Sequence, residues 1–112
     1  MRAGNWIFCS GVEATDFKQA TAPDARIDPR SPGAGWNAEV VAQTKYIYNN
    51  FMAIAEEVGI DFDARVARIY QWFHVDNMVD AWANIRIDPY LETRNIWLTH
   101  NRPASSALAI AE

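Results

Sequence analysis

Cysteine is nearly absent from this chain. Cys9 stands alone, which excludes a disulfide framework and leaves too few thiols for a cysteine-based zinc site. Positive charge is also in deficit: ten Lys+Arg face 14 Asp+Glu, for a net charge of −4. That balance argues against a nucleic-acid binder held mainly by phosphate contacts. No apolar run approaches the roughly 20 residues needed to span a bilayer. The opening residues Met1 to Trp6 carry no apolar targeting core and no cleavage site, so a soluble, cytoplasmic protein is expected. There is no internal repeat, no low-complexity tract, no phosphate-cradling glycine motif, and neither an HExxH nor a GxSxG pattern.

What is present suits one folded domain over residues 1–112. Half the residues are apolar and 12% aromatic, against 21% charged, which sets intrinsic disorder aside. A chain of 112 residues buries roughly two-thirds of its unfolded surface, enough for a core without staples.

Trp6 to Ser10 is short, aromatic and β-leaning, and stops at Gly11; it reads as a buried strand. From about Val12 to Gly35 the signals are those of a loop, with Pro23, Asp28-Pro29, Pro32-Gly33 and Gly35. A loop that long is either functional or covers something. A helix is expected from Asn37, a plausible N-cap, to Val58, with Gly59 as its stop. Its inner stripe is Val41, Thr44, Tyr48, Phe51, Ala55 and Val58, widened by Val40, Ile47 and Ile54.

Arg65 to Val75 reads as a strand with apolar residues on both parities, hence central and covered on both faces. Asp76-Asn77 caps a second helix with Val79, Trp82, Ala83, Ile87 and Tyr90 inward, its last turn weakened by Pro89. Ser105 to Ala111 is a final strand. The order gives an α+β fold with both helices on one face of a thin sheet, whose exposed edges call for an oligomer.

Few residues single themselves out for chemistry. His74 and Asp76 stand two apart and His100 lies further on, but no third metal ligand is spaced to join them, and a strand-end imidazole with a helix-capping carboxylate accounts for the pair. No metal site and no cofactor is expected. Glu56, Glu57, Asp61 and Asp63 look like a solvated helix end, with nothing to mark two of them as an acid–base pair. Cys9, inside an apolar strand, reads as an inert core thiol. Trp6, Trp72 and Trp82 are core by type, whereas Trp36 and Trp97 are free to line a pocket or interface.

The ordered motifs resemble those of the Rid family (YjgF, also labelled endoribonuclease L-PSP), the reactive intermediate/imine deaminases. Gly4-Asn5-Trp6-Ile7-Phe8-Cys9-Ser10-Gly11 resembles its glycine-ended strand. Gln43-Thr44 and Asn49-Asn50, closed by Gly59, resemble its first helix, and Val66 to Asp76 its following strand. Asp76 through Asn84 is similar to its second helix, and Arg102-Pro103-Ala104-Ser105-Ser106 to its "P-A-R-S" entry to the next strand.

The resemblance implies a chorismate-mutase-like α+β fold, a homotrimer with small-molecule pockets between subunits, and cofactor-free hydrolytic deamination of a reactive imine or enamine. The site residues that carry over are Ser10, Gly11, Asn84 and Ser105. Ser105 stands where the active deaminases place an arginine that grips the substrate carboxylate by a bidentate pair, and Arg102 is displaced from that position. The family's first and last strands, the last bearing a glutamate thought to position water, are expected to lie outside this chain. Two other functions compete: a non-catalytic small-molecule-binding or regulatory trimer, and an endoribonuclease, which the acidic charge and lack of paired histidines disfavour.

Overall fold

A computed structural model describes residues 1–14, 36–74 and 87–110. The chain begins with a hairpin of β1 (Arg2–Ala3) and β2 (Trp6–Ile7), antiparallel, with Ala3 opposite Trp6. Gly4 occupies φ +58°, the positive-φ backbone that a two-residue hairpin turn requires at its first position. The ends are tied by Phe8 N–H to Met1 C=O at 2.7 Å and by the Met1 ammonium to Phe8 C=O at 2.9 Å.

The expected buried strand is therefore an exposed hairpin. Trp6 and Phe8 are exposed, and so is Cys9, which corrects its reading as a core thiol. The Gly4-Asn5 turn closes this segment on its own N-terminus, and among the described residues the hairpin pairs with no other strand. Among the described residues, two sheets of two strands stand in place of the single three-stranded sheet expected.

Helix α1 (Trp36–Val58) follows the expected bounds, starting one residue before Asn37. Thr44, Tyr48 and Ala55 are buried and Phe51 half-buried, as the three-and-four spacing requires. Val58 departs from that stripe and is exposed. The helix ends in a Schellman motif. Gly59, at φ +74°, donates its N–H to Glu56 C=O at 3.1 Å, and Ile60 N–H reaches Ala55 C=O at 2.9 Å.

A short helix α2 (Phe62–Arg65) comes next, capped by Asp61, whose carboxylate accepts from Ala64 N–H at 3.2 Å. This turn takes the residues assigned to the start of the next strand, so β3 runs from Arg68 to His74. The expected strand end at Val75, the N-terminal part of the second helix with Asp76, and the long loop from Thr15 onward lie outside the described residues. Helix α3 (Ile87–Arg94) continues past Pro89. The proline is the third residue of this span. Strand β4 (Ala104–Ile110) pairs parallel with β3, Tyr70 opposite Ser106 and Trp72 opposite Leu108.

The core is Tyr48 and Ala55 of α1, Phe62 of α2, Tyr90 of α3 and Leu98, with Ile69 and Phe73 of β3 packed against it. Ring contacts knit it together: Tyr48 stacks on Trp97 at 5.3 Å, and Phe73 meets Tyr90 edge-on at 5.2 Å. One face of the β3–β4 sheet thus rests on the helical layer. The other is open, with Tyr70 at 61%, Trp72 at 65%, Leu108 at 53% and Ile110 at 50% exposure, which corrects the reading of β3 as covered on both faces. These side chains share one face of the sheet by register, beside Arg68, whose guanidinium lies 4.7 Å from the centre of the Tyr70 ring. The α+β class holds. No helix among the described residues is long and apolar enough to cross a membrane.

Candidate functional site

Beneath the sheet lies a polar chain that crosses every layer of the core. Gln71, on the inward parity of β3, donates from Nε2 to Ser106 C=O at 2.9 Å and to Ile69 C=O at 3.3 Å. Both partners only accept, so the amide orientation is fixed and Oε1 must accept. It does so from the Tyr90 hydroxyl at 2.8 Å. Tyr90 has thereby used its one proton, so the Tyr48 hydroxyl, 3.1 Å away, donates to it. The proton order runs Tyr48 to Tyr90 to Gln71 to the β4 backbone, linking α1, α3, β3 and β4.

All three side chains are nearly sealed, at 2% for Tyr48, 6% for Tyr90 and 8% for Gln71, so each depends on its neighbour rather than on water. Burial pushes the Tyr48 phenol well above its ordinary value, and its donated bond to Tyr90 adds to that. Burial also raises the Tyr90 phenol, against the opposing bond from Tyr48 and the positive charge of Arg94. Both stay neutral hydroxyls.

Arg94 closes α3 beside this chain, with its guanidinium carbon 5.7 Å from the centre of the Tyr90 ring. Its Nε and Nη1 are buried and have no hydrogen-bond partner among the described residues.

A second cluster fixes where the sheet begins. The Asp63 carboxylate accepts from Thr99 Oγ1 at 2.7 Å and from the N–H groups of His100 (3.1 Å) and Asn101 (3.0 Å), and His100 Nδ1 lies 3.0 Å from it. Asn101 Nδ2 in turn donates to Val66 C=O at 2.6 Å. The Thr99 and Asn101 bonds, with those of His100, hold the Asp63 carboxyl well below the ordinary carboxylate range. This clamp brings the turn before β4 against the start of β3, where Ala104 N–H meets Ala67 C=O at 3.1 Å. Asp61 and Asp63 are therefore a helix cap and a loop clamp, not a merely solvated helix end. The His100 side chain is 91% exposed, an imidazole oriented by a carboxylate but facing water.

The residues singled out in the sequence do not converge on either cluster. Ser10 and Gly11 lie exposed after the hairpin, Ser105 is exposed at the second position of β4 opposite Ile69, and Asn84 lies outside the described residues. No hydrogen bond between described residues joins Ser10, Gly11 and Ser105 to one another. His74 ends β3, exposed. Trp97 is half-buried on Tyr48, a core role rather than a pocket wall. No group of three or more His, Cys, Asp or Glu among the described residues stands close enough to hold a metal ion. Gln71 and Arg94 were missed in the sequence; a lone polar residue on the inward parity of an apolar strand was the signal for Gln71. Compared with known proteins, the chain matches no family model, no curated protein and no solved structure.

Proposed function

We propose that this chain is a self-assembling small-molecule-binding module of the Rid type, a chorismate-mutase-like trimer with its ligand held between subunits. The observation that carries the reading is the open apolar face of the β3–β4 sheet, formed by Tyr70, Trp72, Leu108 and Ile110. A two-stranded sheet with a bare face is incomplete alone, and burying that face against further copies supplies both the missing layer and a cleft at its rim. The order of motifs along the chain supports the family; no comparison with known proteins adds to it.

Hydrolytic deamination of a reactive imine or enamine is the activity this reading names, with water as nucleophile and backbone N–H groups near Ser105 polarising the substrate. Non-catalytic binding is the second reading. It is favoured by a hydroxyl at Ser105 that cannot make a guanidinium fork. The test is keto-acid release from enzymatically generated 2-aminoacrylate and 2-iminobutyrate, run beside Ser105→Arg. Release accelerated by the unaltered chain supports the deaminase. Silence in the unaltered chain with gain in Ser105→Arg supports binding on an intact scaffold, and silence in both removes imine hydrolysis.

A further inference from the structure

Residues 1–11 are exposed along their whole length, although apolar side chains are frequent among them. Continuing the β1–β2 register by one pair sets Met1 opposite Phe8, in keeping with the two backbone hydrogen bonds between them. Alternate residues of a strand share a face, so Met1, Ala3, Trp6 and Phe8 form one side of the hairpin. Met1 is 85% exposed, Trp6 61% and Phe8 53%. Among the described residues, no hydrogen bond or ring contact joins this hairpin to the helices or to the β3–β4 sheet.

An isolated two-stranded hairpin is marginal in water, and its apolar side needs a second layer. The bare face of β3–β4 needs one too, and both are exposed in one chain, so the arm does not cover its own face. The two match in width, each being two strands about 4.8 Å apart, so they can pack as layers. Their charges are complementary at one end. Arg68 stands exposed on the bare face at the start of β3, where it meets the Tyr70 ring and, at 3.4 Å, the Ser106 hydroxyl. Glu13 stands exposed shortly after Phe8. The ion pair between described residues is Asp63 with His100, so neither Arg68 nor Glu13 meets an opposite charge among the described residues of its own chain.

Symmetry selects the arrangement. Copies that meet through the same patch pair about a two-fold axis and stop at two, whereas a closed ring of three needs two different patches on each chain. The hairpin and the bare face are two such patches. We infer that the N-terminal hairpin is an arm that docks on the β3–β4 face of the neighbouring copy, Trp6 and Phe8 against Tyr70, Trp72, Leu108 and Ile110, with Glu13 reaching Arg68. The inference rests on the assembly reading above and supplies its second half: each chain gives an arm and receives one.

The experiment mixes two full-length variants, each altered at one patch, and reads mass by light scattering. Trp6→Glu with Phe8→Glu disables the arm and keeps the face; Trp72→Glu disables the face and keeps the arm. Each alone should run as a single chain of 12.7 kDa with helical circular dichroism unchanged. Mixed in equal amounts they should form a complex of two chains, about 25 kDa, and stop there, because the arm and face left over are both disabled. An arm variant that still forms trimers while Trp72→Glu is monomeric overturns the inference and leaves the assembly reading standing. A mixture that stays at 12.7 kDa overturns it as well. An unaltered chain that is monomeric at every concentration removes the assembly reading, and the arm with it. Should the arm variant fail to fold, Glu13→Lys decides. It should weaken trimer formation about tenfold, with recovery when Arg68→Glu is added to the same chain; assembly equal to the unaltered chain in Glu13→Lys overturns the inference.

Discussion

Removing the hydroxyl of Tyr90 should destabilise the protein far more than removing that of Tyr48, although the two oxygens are hydrogen-bonded to each other. The difference follows from the proton order. Tyr90 stands in the middle of the chain, so Tyr90→Phe leaves two buried groups without partners, the Tyr48 O–H and the Gln71 Oε1. Each such orphan costs about 1–3 kcal/mol, for a total of about 2–6 kcal/mol. Tyr48 stands at the donor end, so Tyr48→Phe removes one bond while Tyr90 still donates to Gln71, a loss of about 0.5–1.5 kcal/mol.

In a Tyr90→Phe background the sign reverses. The Tyr48 hydroxyl is then itself an orphan, and deleting it should recover about 1 kcal/mol or more. Urea unfolding followed by circular dichroism reads this directly. At a slope near 1.5 kcal/mol per molar, a 3 kcal/mol loss lowers the midpoint by about 2 M. Equal costs for the two single substitutions, or a Tyr48→Phe cost unchanged by the background, would refute the proton order.

Two further outcomes follow from the clamp and the cap. Asp63 has a lowered carboxyl pKa, so the stability it contributes is present above the unfolded value near 4 and is lost as pH falls from there toward its folded value. Tm of the unaltered chain should drop steeply below pH 4, and Asp63→Asn should start lower at pH 7 and show a shallower acid limb; parallel curves would contradict the clamp. Gly59 sits at φ +74° with no atom within 4 Å of an added Cβ, so Gly59→Ala should cost about 1 kcal/mol from backbone conformation alone, with Gly59→Asn closer to the unaltered chain in the same urea experiment.

How far the sequence reveals this fold varies by element. Helix α1 is legible because twenty-odd residues of three-and-four spacing with a glycine stop leave no other period. β4 is legible from Pro103 and the run that follows it. The hairpin is misread because four apolar residues in a row cannot say which strand they pair with; the informative signal was Gly4-Asn5, a turn pair just upstream. Helix α2 went unread between the Gly59 stop and the expected strand, sharing only Arg65 with it, and Asp61 was its marker. The open face of β3 illustrates a deeper limit: apolar residues on both parities do not say that both faces are covered, since Tyr70 and Trp72 are exposed.

The polar chain was invisible because its members lie far apart in sequence and its order is set by backbone carbonyls that every residue carries. Asp63, counted among solvated carboxylates, is distinguished only by the turn at Thr99 to Asn101 that folds back onto it. Of the candidate site residues, Ser10, Gly11 and Ser105 are exposed and share no hydrogen bond, and motif spacing orders residues along the chain without saying what they face.

The account rests on the bare face of β3–β4 being an assembly surface, and the mass of the protein in solution tests that directly. Size-exclusion chromatography with light scattering at micromolar concentration should give three times 12.7 kDa, about 38 kDa, the trimer that the Rid resemblance implies. Trp72→Glu, which places a charge at the centre of the face without touching the core, should return the monomer mass with α-helical circular dichroism intact. A chain that is monomeric at every concentration, or a trimer that survives Trp72→Glu unchanged, would contradict it.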